Sequence, residues 1–353
     1  MEIILPTEDQ TVQINELRQQ QIDDMFRNGS PNAPLAVWAG PCATDSNRHE
    51  DGELAAVRHI RTMADGAEEL PNLRYKGRKN GTKPRTRGGT TGLIHQRNGV
   101  ACYGEGAQIL TDEGIGLVAE IMDESDAAVA SPWLVAKWGG ARNVEDTGVR
   151  QLLRPTSIEL EQGIVPAPGF VKSGTGGSLT TAMHALHTVR AEASEIRTRF
   201  TLDGGLQQIE THANPSTGLI LRGYAPRPAG PTDEILADEI ITARELIDSE
   251  FGAGAVALYV DVSHQHAAWE GGGEEGQLAI AQSLARLMGQ GIVIDGVLAE
   301  TYLHPGNQRD TERVPGLSQV DKCIREERAL GMLSLLDNAR GLQIREYVLA
   351  GAR

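Results

Sequence analysis

The chain has 353 residues, and 33 Lys and Arg against 48 Asp and Glu give a formal net charge of −15, which argues against a general binder of nucleic acid or anionic membranes. Its hydrophobic fraction of 40% suits a packed protein of two ordinary domains or one large α/β barrel with additions. Three widely spaced cysteines, no secretory signal and no apolar run of membrane-spanning length predict a cytoplasmic protein with reduced thiols.

Short apolar runs recur along the chain, and most are followed by an amphipathic stretch with helical spacing. The predicted strands cover residues 35–39, 73–77, 117–122, 138–141, 169–172, 200–202 with a possible hairpin at 219–223, 255–262 and 292–299. Because strands that alternate with helices form parallel sheets, the pattern favours a (β/α)8 TIM barrel. An open doubly wound sheet is the alternative.

Capping residues and apolar spacing predict helices between these strands, as a (β/α)8 barrel requires. Thr232 is a suitable N-cap, Gly252 follows the predicted end, and the apolar residues between them recur at helical spacing. Further helices are predicted over 11–26, around 127–137 and over 275–288. We assign residues 1–33 to an N-terminal extension and residues 34–353 to the barrel.

Reactive side chains follow several of the predicted strands, at the end where α/β proteins carry their sites. They are Cys42 after the first strand, His264 after the seventh, Glu300 at the end of the eighth, and Asp321 in the loop beyond. Each alone is more often structural than functional, and His266 is as well spaced as His264. If all four converge, a thiolate, an imidazole and two carboxylates would hold a divalent Mn, Fe, Co or Zn ion.

Basic residues form a second set at the same strand ends. Residues 74–87 contain seven basic residues and no acidic one, and their Pro and Gly content favours a loop that lines a site over a nucleic-acid tail. The cations at strand ends are Lys83, Arg85, Arg142, Lys172 and Arg222. Since Arg and Lys bind phosphate and carboxylate, this set predicts one or two small anionic substrates beside a metal.

Several motifs, in this order along residues 35–340, resemble one known family. They are Gly40-Pro41-Cys42, Lys83-Pro84-Arg85-Thr86, Gly140-Ala141-Arg142, Phe170-Val-Lys172-Ser-Gly-Thr-Gly, Leu221-Arg222-Gly223, Val260-Asp-Val-Ser-His264, Gly296-Val-Leu-Ala-Glu300, Gly306-Asn307-Gln308 and Asp321-x-Cys323. The chain resembles the class I 3-deoxy-D-arabino-heptulosonate 7-phosphate (DAHP) synthases, which open the shikimate pathway to the aromatic amino acids. The resemblance implies a barrel with a short N-terminal extension and an aldol-type condensation of phosphoenolpyruvate with erythrose 4-phosphate.

The resemblance also implies a role for each matching residue. Cys42, His264, Glu300 and Asp321 are the expected metal ligands. Arg142 and Arg222 are expected to hold the phosphate of phosphoenolpyruvate, and Lys172 and Lys83 its carboxylate. Ala141, beside Arg142, is also expected to bind substrate. Lys83, Pro84, Arg85 and Thr86 are expected to bind erythrose 4-phosphate, with Arg85 on the terminal phosphate. We assign catalytic roles to Lys83, Arg85, Lys172 and His264. By analogy, the N-terminal extension would serve subunit contacts or regulation in a homo-oligomer.

Departures from the family pattern leave alternatives open. Arg74 and Arg78 compete for the role of the family's strand-two substrate arginine. The segment after Thr86 reads Arg87-Gly-Gly-Thr-Thr-Gly92, where the family usually has Trp-Lys-Gly. This change favours, as a second hypothesis, a related synthase that condenses phosphoenolpyruvate with another aldose phosphate in a specialised pathway. A non-catalytic regulatory homologue is a third, which the intact ligand set opposes.

Overall fold

The computed structural model describes residues 3–26, 32–43, 49–80, 99–139, 147–173, 178–200, 205–223, 232–269, 272–308 and 314–351. The strands are β1 (Leu35–Gly40), β2 (Leu73–Arg78), β3 (Leu117–Ile121), β4 (Leu134–Gly139), β5 (Gly169–Lys172), β6 (Glu195–Phe200), β7 (Leu206–Thr211), β8 (Thr217–Leu221), β9 (Val256–Asp261), β10 (Gly296–Tyr302) and β11 (Ile324–Arg325). The helices are α1 (Glu8–Phe26), α2 (His49–Glu68), α3 (Gly99–Asp112), α4 (Glu124–Val129), α5 (Thr147–Leu152), α6 (Ser157–Glu161), α7 (Leu179–Arg190), α8 (Thr232–Phe251), α9 (Gln265–Trp269), α10 (Gly273–Gly289) and α11 (Glu326–Gly351).

Eight parallel strands close into a barrel in the order β1-β2-β3-β4-β5-β8-β9-β10. Closure comes from the pairing of the first strand with the last, in which Ala36 lies opposite Gly296 and Gly40 opposite Glu300. The predicted (β/α)8 barrel with a short N-terminal extension is therefore confirmed. Parallel pairing brings the carboxyl ends of all eight strands to one rim, where Cys42, His264 and Glu300 lie.

Aromatic side chains fill the barrel interior. Trp38, Trp138, Phe170 and Tyr259, from four different strands, are all fully buried. The ring centroid of Trp38 lies 4.6 Å from that of Phe170 and 4.7 Å from that of Tyr259. Aromatic residues make up only 4% of the chain, and this layer gives the site above it a packed floor.

The N-terminal helix α1 packs against the amino end of the barrel. Leu17 and Met25 join the interior apolar cluster, and the Gln21 amide lies 3.3 Å from the Tyr259 hydroxyl. Arg18 donates to the main-chain carbonyls of Ser131 and Leu134 at the start of β4. The helix is thus part of the barrel's packing, and its role in oligomerisation or regulation stays a prediction.

The helical layer packs on the outer faces of the strands through apolar stripes. In α8, the side chains predicted to face inward are all buried, namely Leu236, Ile240, Ala243 and Ile247. The Leu and Ile side chains of this set each contribute about 1.5–3 kcal/mol when fully buried, so this face fixes the helix against β9. Of the helices in the described part of the chain, none is long and apolar enough to cross a membrane.

A cavity of about 700 Å³ lies between α1, α4, α6 and β4. Lys137 of β4 lines it and is only 5% exposed. Burial, partly opposed by Glu159, lowers the pKa of Lys137 to about 8. A buried ammonium in this position opposes folding whenever it is charged.

Several boundaries predicted from the sequence are wrong. The sixth barrel strand is β8, not residues 200–202, and the hairpin is formed by β6 and β7 rather than by 219–223. The run Thr217–Leu221 is buried at every position, as in a strand covered on both faces, whereas β7 alternates between exposed and covered positions. The fourth strand begins at Leu134 and the eighth at Gly296, and the helix predicted around 127–137 ends at Val129.

Candidate active site

The predicted metal ligands lie together at the carboxyl end of the barrel. Cys42 follows β1, Glu300 lies in β10, His264 follows β9, and Asp321 precedes β11. Ligand atoms of Cys42, Glu300 and Asp321 all lie within 4.8 Å of one another. Nε2 of His264 lies 3.9 Å from a Glu300 oxygen and 3.7 Å from Oδ2 of Asp321. Four sequence-distant donors therefore share one small volume.

The donor set fits a divalent metal ion. Cys42 and Glu300 are fully buried, and the Asp321 side chain is 40% exposed, so solvent reaches the cluster from one side. The Cys42 Sγ atom lies 3.2 Å from Oδ2 of Asp321. Tetrahedral coordination at 2.0–2.3 Å places ligand atoms about 3.3–3.8 Å apart, close to the separations found here. The mixed thiolate, imidazole and carboxylate set is typical of a transition-metal site.

Asp261, the last residue of β9, orients two of the predicted catalytic groups. Its Oδ2 lies 2.5 Å from the Lys172 ammonium and 2.7 Å from Nδ1 of His264. Burial opposes its charge, but His264 and Lys172 outweigh that effect and hold the pKa of the Asp261 carboxyl well below its usual range. An Nδ1 proton donated to Asp261 leaves the lone pair of Nε2 facing Glu300 and Asp321, as a metal-ligating histidine requires.

The structure separates the two arginines that compete on strand two. Arg78, the last residue of β2, is fully buried, and its Nη2 lies 2.9 Å from Oε1 of Glu300. Burial acts against its charge, but Glu300 raises the pKa of Arg78 overall. Arg74 lies near the other end of the strand, about 13 Å away along β2, and its Nη1 donates to the Leu73 carbonyl. Arg78 thus lies within the cluster and Arg74 outside it.

The guanidinium of Arg78 has donors that the described residues do not use. Its carbon lies 5.6 Å from the centroid of the Trp138 ring, so the aromatic floor supports it from one side. Among the described residues, no group accepts a hydrogen bond from its Nε or Nη1. Since buried donors are normally satisfied, these two are suited to an anionic substrate in the barrel mouth.

Close main-chain packing and a buried amide fix the backbone beside Cys42. A Cβ on Gly40 would lie 2.3 Å from the Arg78 carbonyl oxygen, so only glycine permits this approach of β1 to β2. The Asn80 side chain donates to the Cys42 carbonyl at 3.0 Å and accepts from the Glu120 amide at 3.0 Å. Asn80 therefore ties the ends of β1, β2 and β3 together.

Arg222 follows β8 at the same rim. Its main-chain N–H donates to the Ser173 hydroxyl at 2.9 Å, which links the ends of β5 and β8. Within the described chain its Nε has no hydrogen-bond acceptor. His266, the alternative to His264, is directed away from the cluster, because it contacts Glu239 at 2.9 Å and the Asp261 carbonyl at 2.6 Å.

The remaining predicted substrate residues lie outside the described residues. They are Lys83, Pro84, Arg85, Thr86, Ala141 and Arg142. Sequence reasoning gave no role to Asp261, Asn80 or Gln277, although all three contact the site residues or their backbone. Asp261 was detectable, since it is the one charged residue in the otherwise apolar run 255–262. The two amides carry no such signal.

Comparisons with known proteins find matches over most of the chain. Residues 16–329 match the model of the DAHP synthetase I family. A phospho-2-dehydro-3-deoxyheptonate aldolase of Corynebacterium glutamicum is 26% identical over 344 residues, which cover 91% of this chain and 85% of that protein. The structure of a phospho-2-dehydro-3-deoxyheptonate aldolase from Francisella tularensis aligns with a TM-score of 0.77, 20% identity, and coverage of 97% of this chain and 98% of the other.

A parallel barrel with a mixed-donor cluster and buried cations at its carboxyl rim defines a class of barrel enzymes that act on small anions. Within that class, the chain belongs to the DAHP synthetase I family, because the family match extends over most of its length. The resemblance read from the motifs is thereby confirmed, and the chain is an enzyme of the DAHP synthase family.

Proposed function

We propose that this enzyme condenses phosphoenolpyruvate with erythrose 4-phosphate and water to give DAHP and inorganic phosphate, in a reaction that requires a divalent metal. The observation that carries the proposal is the convergence of Cys42, Glu300, Asp321 and His264 beside the buried cations Arg78 and Lys172. Membership of the DAHP synthetase I family supports it independently.

A divalent ion held by Cys42, His264, Glu300 and Asp321 would polarise the aldehyde oxygen of the acceptor as a Lewis acid. Carbon 3 of phosphoenolpyruvate then attacks the aldehyde carbon, and a carbon–carbon bond forms. Water adds at carbon 2, where positive charge develops, and the bond from carbon 2 to the phosphate oxygen breaks. All atoms of the two substrates and the water thus appear in DAHP and phosphate.

The protein's own side chains bind and orient the donor. Nε and Nη1 of Arg78 offer hydrogen bonds to an oxyanion, and the Lys172 ammonium supplies a second positive charge from β5. Arg222 adds a third cation from the end of β8. Because two anionic substrates repel each other, fixed cations at both are needed to hold them at reacting distance.

Asp261 keeps this arrangement rigid. It pairs with both Lys172 and His264, so a single buried carboxylate sets the direction of a substrate-binding cation and of a metal-binding imidazole. We expect its removal to disturb both functions together. Lys83 and Arg85, with their neighbours Pro84 and Thr86, and Arg142 are proposed to complete the two substrate sites.

The test is release of phosphate from both substrates by the purified protein. With Mn²⁺ present, phosphate and DAHP should form in equal amounts. EDTA should stop the reaction, and excess Mn²⁺, Co²⁺, Fe²⁺ or Zn²⁺ should restore it to differing degrees. Product formation that EDTA does not affect would contradict metal dependence, and no product with any metal would contradict the reaction.

A second candidate uses the same donor with another aldose phosphate. Residues 87–92, which follow the proposed acceptor-binding motif, differ from the usual family pattern. An acceptor screen decides between the two, because both predict phosphate release from phosphoenolpyruvate. A kcat/KM for a five-carbon aldose phosphate well above that for erythrose 4-phosphate would favour this alternative.

A further inference from the structure

The proposed ligands Glu300 and Asp321 lie on separate chain segments, and one buried side chain forms hydrogen bonds to the backbone of both. Gln277 of α10 is fully buried, and its Oε1 accepts a hydrogen bond from the main-chain N–H of Glu300 at 3.1 Å. Its Nε2 donates to the carbonyl of Lys322 at 2.8 Å. Lys322 directly follows Asp321, so one amide joins the backbone at one ligand to the backbone beside another.

The helix that carries Gln277 is itself held against the segment after His264. A Cβ on the neighbouring Gly276 would lie 2.3 Å from the carbonyl oxygen of Ala267, so α10 packs directly on α9. The Gly272 amide also donates to that carbonyl at 2.7 Å. The start of α10 therefore contacts the three chain segments that carry His264, Glu300 and Asp321.

A second contact from α10 fixes the chain beyond Asp321. Glu274 accepts hydrogen bonds from Nε of Arg325 at 3.1 Å and from Nη1 of Arg328 at 2.7 Å. These contacts are partly exposed on the arginine side, and solvent weakens ion pairs there. The contacts of Gln277 are buried, so the amide is the stronger constraint on the segment that carries Asp321.

We propose that Gln277 is a positioning residue of the metal site, which sets the separation of Glu300 and Asp321 through their backbones. The inference rests on the proposed function, because it assumes that these carboxylates ligate a metal. An amide suits the task, since a side chain of this length must both accept from one backbone and donate to the other. Groups that orient ligands typically change metal affinity about 10- to 100-fold when they are removed.

The test compares Gln277→Met, which loses both hydrogen bonds at similar volume, with a matched control. Gln343→Met removes a buried helical glutamine at the other end of the barrel, where Nε2 donates to Ile292 and Oε1 accepts from Arg340. Each protein is stripped of metal, and Co²⁺ affinity, the visible Co²⁺ spectrum and the urea unfolding midpoint are measured.

We expect Gln277→Met to bind Co²⁺ about 10- to 100-fold more weakly than wild type, with an altered visible spectrum. Gln343→Met should bind Co²⁺ as wild type does, although it loses comparable stability. Gln277→Glu, which keeps the acceptor for the Glu300 N–H, should show a smaller loss of affinity and also serves if Gln277→Met does not fold.

Wild-type affinity and spectrum in a folded Gln277 variant would overturn the positioning role and leave the proposed function intact. Equal losses of affinity in the Gln277 and Gln343 variants would overturn it too, since the effect would then be general. Absence of Co²⁺ binding in the wild type would instead remove the proposed metal site itself, and the inference with it.

Discussion

At the amino end of the barrel Arg18 and Arg340 donate to main-chain carbonyls, whereas at the carboxyl end Arg78 faces the carboxylate of Glu300. Arg18 binds the carbonyls of Leu134 and Ser131, and Arg340 binds that of Ala33. Burial is nearly complete in all three. The partners differ, and so does the direction in which the pKa is displaced.

Burial is the largest effect on the two amino-end arginines, and it lowers the pKa of each to about 10. Burial acts on Arg78 as well, but Glu300 reverses the outcome and raises its pKa. A buried charge is therefore not by itself a sign of function. The informative features of Arg78 are its carboxylate partner and its donors that find no acceptor among the described residues.

The largest expected effect on metal binding and activity comes from removal of the Cys42 thiolate at the carboxyl end of the barrel. Cys42→Ala is expected to lose bound metal and to lower kcat/KM by more than about 100-fold, because a ligand contributes more than the residues that orient it. Metal content after gel filtration and steady-state rates measure this. Cys102→Ala, a buried thiol in α3 outside the cluster, is the control. Metal retained by Cys42→Ala would exclude Cys42 from the ligand set.

The second prediction separates the two arginines of β2. Arg78→Lys keeps the charge but loses the fork of donors, and we expect kcat/KM for phosphoenolpyruvate to fall about 10- to 100-fold. Arg74→Lys should stay within about twofold of wild type, since its guanidinium contacts the Leu73 carbonyl at the other end of the strand. A larger effect at Arg74 would reverse the assignment.

At the amino end, the expected effect is on stability alone. Arg18→Met leaves several buried carbonyls without a donor, and we expect a loss of about 2–3 kcal/mol in the free energy of unfolding. Because the residue lies at the far end of the barrel, kcat/KM should change less than twofold. Urea unfolding with parallel rate measurements tests this. A large loss of kcat/KM at unchanged stability would show that the two ends are not distinct in function.

The smallest expected effect is on the pH dependence of stability, and it comes from the buried cation Lys137. Its folded-state pKa of about 8 lies below the unfolded value of 10.5, so above pH 8 the unfolded chain binds more protons than the folded one. Stability from this residue therefore rises with pH, by about 1.6 kcal/mol between pH 8 and 9.5. Lys137→Met should lack this rise when unfolding is measured at each pH. An identical pH dependence in both proteins would contradict a buried, depressed lysine.

The barrel and the convergence of the four candidate ligands could be predicted from the sequence, because both depend on local patterns. The runs that precede Cys42 and His264 are short and apolar, as strands of a parallel barrel are. The inner stripe of α8 follows from its spacing alone. Prediction failed at the sixth strand, because the β6–β7 hairpin interrupts the regular alternation of strand and helix.

The finer parts of the site depend on contacts that no local pattern encodes. Arg74 and Arg78 have similar sequence surroundings, and only the pairing of β1 with β2 and β10 brings Arg78 to Glu300. Gln277 and Asn80 act through main-chain groups far away in the sequence, 23 and 38 residues from Glu300 and Cys42. His266 was as plausible as His264 until its contact with Glu239 was known.

We propose that the carboxyl end of this barrel joins two small phosphorylated substrates through a new carbon–carbon bond. Phosphoenolpyruvate labelled with ¹³C at carbon 3 and incubated with erythrose 4-phosphate, Mn²⁺ and the enzyme tests this directly by NMR. We expect the label to appear at carbon 3 of DAHP, with one equivalent of phosphate released. Label that stays in phosphoenolpyruvate, or that appears in pyruvate instead, would contradict it.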